Sequence, residues 1–140
     1  MHFVTPSLIV GDLADALEPP PFVNGVLFLA AEHSIAPPGG VLFEWVPLAE
    51  YQEAHPEAVR KAIEWVERHE SSGRRVLVCC RAGMGRSVSV VIAYLCCAKG
   101  MHYPEAVELL RSRRPGATPL PNLQETIAQV RLLREGPAAS

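Results

Sequence analysis

The sequence predicts an α/β fold: one domain with a central, mostly parallel twisted sheet flanked by helices. Three observations carry that expectation. Short β-type runs fill the first half, at residues 7–10, 26–29 and 41–46, broken by proline and glycine clusters at 19–21 and 37–40. Helical periodicity dominates the second half. Between them Val76-Leu77-Val78-Cys79 is apolar on both faces, which suits an interior strand of a parallel sheet.

The elements follow in order. Residues 8–11 read as an opening strand and residues 12–16 as a turn. From 56 to 71 the set Val59, Ala62, Ile63 and Val66 repeats at i, i+3, i+4 and i+7, with Pro56 at the start and Gly73 past the end, so this is an amphipathic helix. It feeds a strand at 74–79. Residues 88–98 are almost continuously apolar; their length and the following Gly100 favour a buried helix over a strand. Helices at 104–112 and 122–134 complete the pattern, the last with Leu123, Ile127, Val130 and Leu133 on one face. The domain is expected to span residues 1–135, with a short disordered tail at 136–140.

Between the central strand and the buried helix lies a phosphate-binding loop. Cys80 and Arg86 bracket five residues, Arg81-Ala82-Gly83-Met84-Gly85, and Ser87 follows. A cysteine nucleophile acts as the thiolate, so it needs surroundings that favour the charged form. Backbone N–H groups converging from the loop and the first turn of the next helix provide them, aided by the helix dipole. Gly83 and Gly85 are expected to take φ > 0 and let the backbone approach an anion. The planar fork of Arg86 holds two phosphate oxygens and follows charge as it develops, and Ser87 places a hydroxyl near the departing sulfur. Arg81, Ala82, Gly83, Met84, Gly85 and Arg86 are therefore the candidate phosphate-binding residues.

Composition narrows the alternatives. A formal charge of −2 offers no case for nucleic acid. The arginines concentrate at Arg81, Arg86 and Arg111 to Arg114, which fits a local anion site, while the run Arg111-Ser112-Arg113-Arg114 reads first as a cationic helix C-terminus complementing the dipole. The four cysteines form two adjacent pairs without metal-ligand spacing, and Cys96 and Cys97 sit in the apolar helix as packing residues. No metal or cofactor is expected. With no signal peptide or membrane span visible, the expected setting is a reducing cytoplasm, away from membranes, and the expected state a monomer.

At these residues the chain resembles the cysteine-based protein tyrosine phosphatases, and Ala82-Gly83-x-Gly85-Arg86-Ser87 is most similar to the compact dual-specificity branch. Leu8-Ile9-Val10-Gly11, Gly25-Val26-Leu27-Phe28-Leu29, Val46-Pro47-Leu48-Ala49-Glu50 and the stretch from Arg114-Pro115 to Pro121-Asn122 extend the resemblance over nearly the whole chain. Two departures stand out. The family usually carries His before the nucleophile, where this chain has Cys79; on a strand Cys79 points away from Cys80, and a bridge between adjacent cysteines would be strained. The family's general acid is an Asp from an upstream loop, whereas the only aspartates here are Asp12 and Asp15. The resemblance therefore implies Glu50 as the acid, by register and elimination, with Glu53 the alternative. It also brings Asn122, Gln124 and Glu125 near the loop, Asn122 chiefly as a helix N-cap.

Two functional readings follow. In one, the chain is a phosphatase acting on a phosphorylated protein or small phosphate ester, with Cys80, Arg86, Glu50 and Ser87 as its catalytic residues. In the other, loss of the usual Asp and His leaves a module that reads phosphate without turning it over. Keeping both Cys80 and Ser87 favours the enzyme, since a pure binder needs neither a thiolate nor a hydroxyl that helps it leave.

Overall fold

The structure, a computed structural model, describes residues 1–136. Five strands form one sheet: β1 (His2–Thr5), β2 (Leu8–Gly11), β3 (Gly25–Ala30), β4 (Leu42–Leu48) and β5 (Val76–Cys79). Their spatial order is β1-β2-β5-β3-β4. β1 is antiparallel to β2, and every other pairing is parallel. The last strand in sequence is thus the middle one in space. All four of its residues are buried, as its unbroken apolar run predicted.

The helices are α1 (Leu13–Leu17), α2 (Pro56–Glu70), α3 (Arg86–Lys99), α4 (Tyr103–Arg113) and α5 (Leu123–Glu135). In α2 the predicted stripe is buried, and Trp65 joins it; Arg60 pairs with Glu57 and Glu64 along the outer face. α3 is buried from Arg86 to Cys96 because the sheet lies on one side and α2, α4 and α5 on the others. Gly100 ends it at φ 69°, the left-handed cap that glycine adopts without penalty.

Strand alternation divides the core in two. Leu8, Val10, Leu27, Leu29, Val76, Val78 and Cys80 face the layer of α2 to α5. Ile9, Val26, Phe28, Leu77 and Cys79 face the other side, with Ala16 of α1 and Val23. Cys79 and Cys80 therefore sit in opposite cores, and all four cysteines are free. Cys79 fills space where the resemblance has a histidine.

Several sequence expectations are corrected. Residues 2–5 form a strand, paired to β2, that the sequence reading passed over. The expected turn at 12–16 is the short helix α1, started by a capping box in which Asp12 accepts from the Asp15 N–H and Asp15 from the Asp12 N–H. β4 continues to Leu48 rather than stopping at 46, and α3 starts at Arg86 rather than 88. Gly136 closes α5, and the rest of the expected tail, 137–140, lies outside the described residues. Among the described residues no helix is long and apolar enough to cross a membrane.

Candidate active site

The loop leaves β5 at the centre of the sheet's C-terminal edge, where open parallel sheets place their ligands. Four consecutive loop carbonyls are drawn outward. The Arg81 carbonyl accepts from the Leu13 N–H at the start of α1 (3.1 Å), and the Met84 carbonyl from the Thr118 N–H (2.8 Å). The two between them, of Ala82 and Gly83, accept from Nη2 and Nε of Arg114 at 3.2 and 3.0 Å. In a trans peptide the N–H points opposite the preceding C=O. The N–H groups of Ala82, Gly83, Met84 and Gly85 therefore turn inward, and none is hydrogen-bonded to another group among the described residues. The result is an anion nest at the N-terminus of α3.

Gly83 makes this geometry possible: it sits at φ 73°, and a Cβ there would lie 2.6 Å from the Gly11 carbonyl oxygen. Gly85 corrects the expectation of a second positive φ. Its φ is −115°, and a Cβ would meet nothing nearer than the Thr118 carbonyl at 3.5 Å.

Cys80 forms the floor of the nest, 2% exposed. Its thiol donates to Ser87 Oγ over 3.3 Å, and the Ser87 N–H donates to Sγ over 3.4 Å. Ser87 is fully buried, so its hydroxyl has little room to look elsewhere. The other thiols are held protonated by burial, Cys96 pushed up to about 11 and Cys79 and Cys97 also raised.

Arg86 is 1% exposed and held from three directions. Its Nη1 and Nη2 donate to Oε1 and Oε2 of Glu32 at 2.5 and 2.8 Å, and Nη1 also donates to the Leu48 carbonyl at 3.0 Å. Glu50 Oε2 stands 3.9 Å from Nη2. These partners come from just past β3 and from the end of β4, where the register shifts between Phe28 and Ala30. The hydrogen bonds from Arg86 outweigh burial and pull the Glu32 carboxyl down to about 2. Glu32 takes the end-on fork of the guanidinium. The side fork, Nε with the second hydrogen of Nη2, has no hydrogen-bond partner on Nε among the described residues.

Glu50 separates two depressions. One, about 620 Å³, is lined by Ala31, Glu32, His33, Ala49, Glu50 and Arg81. The other, about 400 Å³, runs along Met84, Gly85 and the Thr118 to Pro121 segment, with Tyr51 at its rim. The structure thus brings Cys80, Arg86, Ser87 and Glu50 to one edge, with Arg81 at the mouth. Glu53 lies apart and accepts from Asn122 Nδ2 at 2.8 Å. Asn122 stands at the N-cap of α5 as expected, but in a left-handed conformation (φ 57°) and with no side-chain cap hydrogen bond, its amide being engaged by Glu53. Gln124 lines a separate hollow with Tyr103 and Arg111, and Glu125 is exposed in the first turn of α5.

Two residues at this edge escaped the sequence reading. Glu32 follows directly on the strand beside β5, and a carboxylate just past the C-terminal end of a central parallel strand is the signal for it. The arginine run does end a helix, with Arg111 and Arg113 exposed in the last turn of α4, but Arg114 at its C-cap is 5% exposed and its side chain runs beneath the loop. Among the described residues no group of three or more His, Cys, Asp or Glu side chains is placed to hold a metal ion.

Comparison with known proteins agrees with this geometry. The family model for the dual specificity phosphatase catalytic domain matches residues 27–131. Dual specificity protein phosphatase 1B of Arabidopsis thaliana is 41% identical over 69 residues, covering 49% of this chain and 41% of that protein. Human dual specificity protein phosphatase 8 is 30% identical over 122 residues, covering 83% of this chain and 20% of that protein. The chain thus spans less than half the length of either relative. The crystal structure of human DUSP28 superposes with a TM-score of 0.79 at 23% identity, with 100% of both chains covered, which shows a shared fold. With the family model lying across most of its length and the loop from Cys80 to Ser87 inside the match, the chain belongs to the dual-specificity phosphatase family.

Proposed function

We propose that this chain hydrolyses phosphomonoesters through a phosphocysteine intermediate, with phosphotyrosine in proteins as its principal substrate and phosphoserine and phosphothreonine as further ones. The observation that carries the reading is the meeting of three things at one edge: Sγ of Cys80, the inward N–H groups of the loop around it, and the buried Arg86, whose Nε has no hydrogen-bond partner among the described residues. In the first step Sγ, as the thiolate that the cycle regenerates, attacks phosphorus in line, and the bond from phosphorus to the leaving oxygen breaks. Glu50 supplies the proton that this oxygen takes up. The loop N–H groups and Arg86 hold the equatorial oxygens as their charge grows. In the second step Glu50, now a carboxylate, takes a proton from water; the water oxygen bonds to phosphorus and the S–P bond breaks. Ser87 then turns its hydroxyl to donate to the released thiolate.

The contact between Cys80 and Ser87 supports an enzyme over a phosphate-reading module, since it serves only a sulfur that must leave. A free Cys80 also requires a reducing compartment, and we place the protein in the cytoplasm on that ground.

The test is hydrolysis of an activated aryl phosphate by purified protein in the presence of chelator. The expected result is steady turnover, abolished by Cys80→Ser. A pull-down with Cys80→Ser, which keeps the nest but not the nucleophile, should enrich phosphotyrosine proteins; enrichment of small phosphate esters instead would reassign the substrate. Turnover that survives Cys80→Ser, or that depends on an added divalent ion, would overturn the mechanism. Capture of phosphopeptides by a wild-type protein without turnover would favour the binding module.

A further inference from the structure

The charge of Arg114 has no ionic partner among the described residues. The guanidinium is almost wholly buried, yet its hydrogen-bond partners are neutral: the Ala82 and Gly83 carbonyls and Nδ1 of His2, the last at 2.9 Å. None of the described carboxylates pairs with it. His2 lies exposed at the chain start, and since a guanidinium can only donate, its Nδ1 is the acceptor; partial desolvation and then the Arg114 charge lower its pKa, which favours that neutral ring. Buried charges are ordinarily paired, because an isolated ion in a low-dielectric interior is strongly disfavoured. Arg86, also buried, meets the rule through Glu32; Arg114 does not meet it among the described residues.

What lies across the loop from Arg114 is the anion nest. The guanidinium grips two successive carbonyls from behind, so each bond fixes an N–H on the opposite side, at Gly83 and at Met84. Of the four donors that turn the loop carbonyls outward, the other two are main-chain N–H groups of Leu13 and Thr118. Arg114 is the side chain among them, and it adds a full positive charge. A Cβ on Gly83 would come within 2.5 Å of its Nη2, so loop and guanidinium are built against each other.

We infer that Arg114 is the second cation of the phosphate site: a positioning residue that never touches phosphate, orients the loop N–H groups, and has as its counter-charge the anion held in the nest. This rests on the phosphatase reading of the loop. It also explains how the loop is braced without the histidine that the family usually carries before the nucleophile, since Cys79 is packed in the core on the far face of the sheet.

The test compares alkylation of Cys80 by iodoacetate, an anion, with alkylation by neutral iodoacetamide, each followed by peptide mapping. In the wild type the anion is favoured by the field of the site. Arg114→Gln should lower the iodoacetate to iodoacetamide rate ratio about tenfold, in the range that a focused charge supplies, and lower kcat/KM for an aryl phosphate. Arg114→Lys, which keeps the charge but not the planar fork, should restore most of the ratio and little of kcat/KM. A role confined to stability would lower the melting temperature and leave the ratio of the folded protein unchanged, which overturns the inference, as would a wild-type ratio in Arg114→Gln. If Arg114→Gln does not fold, full recovery of kcat/KM in Arg114→Lys overturns the positioning role. Labelling does not depend on turnover, so a wild type that labels selectively but hydrolyses nothing refutes the proposed function and leaves the placing of Arg114 standing.

Discussion

Glu32 holds Arg86 end-on, carboxylate to guanidinium, with both oxygens engaged at 2.5 and 2.8 Å. The pairing neutralises a charge that is 1% exposed and fixes the plane of the guanidinium, leaving Nε without a hydrogen-bond partner among the described residues. A flexible arginine would have to be ordered at each encounter with phosphate; this one is ordered beforehand.

Glu32→Gln should therefore lower kcat/KM by about tenfold or more, since small misplacement of a reacting partner is enough for losses of that size. The amide keeps one acceptor for Arg86 but not the charge or the second acceptor. Because the Glu32 carboxyl is pulled down to about 2, it stays ionised through any practical assay. The pH–rate profiles of wild type and Glu32→Gln should consequently run parallel from about pH 5 to 8. A basic limb that disappears in the variant would mean that Glu32 itself donates the proton.

Gly83→Ala is expected to abolish most activity while costing only part of the stability. The φ of 73° carries a penalty of roughly 1–2 kcal/mol for a residue with a Cβ. The closer problem is the Gly11 carbonyl at 2.6 Å, a backbone atom at the end of β2 that cannot swing aside. The loop would have to lift off β2, carrying the N–H groups with it, and kcat/KM should fall about 10²-fold. Gly85→Ala is the contrast: its φ is negative and its space open, so its melting temperature should stay near wild type. Equal melting temperatures and activities for the two variants would refute the distinction.

The fold was legible because its signals are local. β5 announces itself by four apolar residues in a row, α2 by a stripe at helical spacing, and the loop by two glycines between a cysteine and an arginine. β1 was not legible, since His2 and Phe3 are exposed and the strand exists through pairing with β2. Asp12 and Asp15 look like turn residues, and only their reciprocal cap makes them the start of a helix. At the site, Cys80, Arg86 and Ser87 share one segment and were readable together. Glu32 and Arg114 were not, because their roles arise from distant parts of the chain meeting the loop, 54 residues from Arg86 in one case and 31 from Gly83 in the other. Nothing in a run of arginines tells which one turns inward.

Behind the site, Glu70 ends α2 by accepting from Ser7 Oγ at 3.0 Å and Tyr94 Oη at 2.5 Å, and it pairs with Lys99 Nζ at 2.9 Å. Burial alone would raise its pKa, but bonds from Tyr94, Lys99 and Ser7 outweigh it and the net shift is downward. A carboxyl with a depressed folded pKa contributes stability that is present above its unfolded value of 4.5 and lost as pH falls through the folded one. Glu70→Gln should thus melt lower than wild type at neutral pH, and the gap should close as the pH is taken below about 4. Thermal melts of both proteins across that range check it; a gap that stays constant would show that packing, not charge, holds this corner.

Glu50 is the side chain through which the proposed mechanism departs furthest from the family pattern. It stands 3.9 Å from Arg86 Nη2, on the ridge between the two depressions where a substrate would lie, whereas Glu53 is turned away toward Asn122. If Glu50 delivers the proton to the leaving oxygen, Glu50→Gln should lower kcat by about 10²-fold with phenyl phosphate. The loss should shrink as the leaving group becomes more acidic, because a stable phenolate departs without a proton. Glu53→Gln should be close to wild type with every leaving group. The measurement is a plot of log kcat against leaving-group pKa, expected to be shallow for the wild type and steep for Glu50→Gln. Parallel plots, with an equal penalty at both ends, would reduce Glu50 to a partner of Arg86; a steep plot for Glu53→Gln instead would move the acid to that residue, and would require the contact with Asn122 to break during turnover.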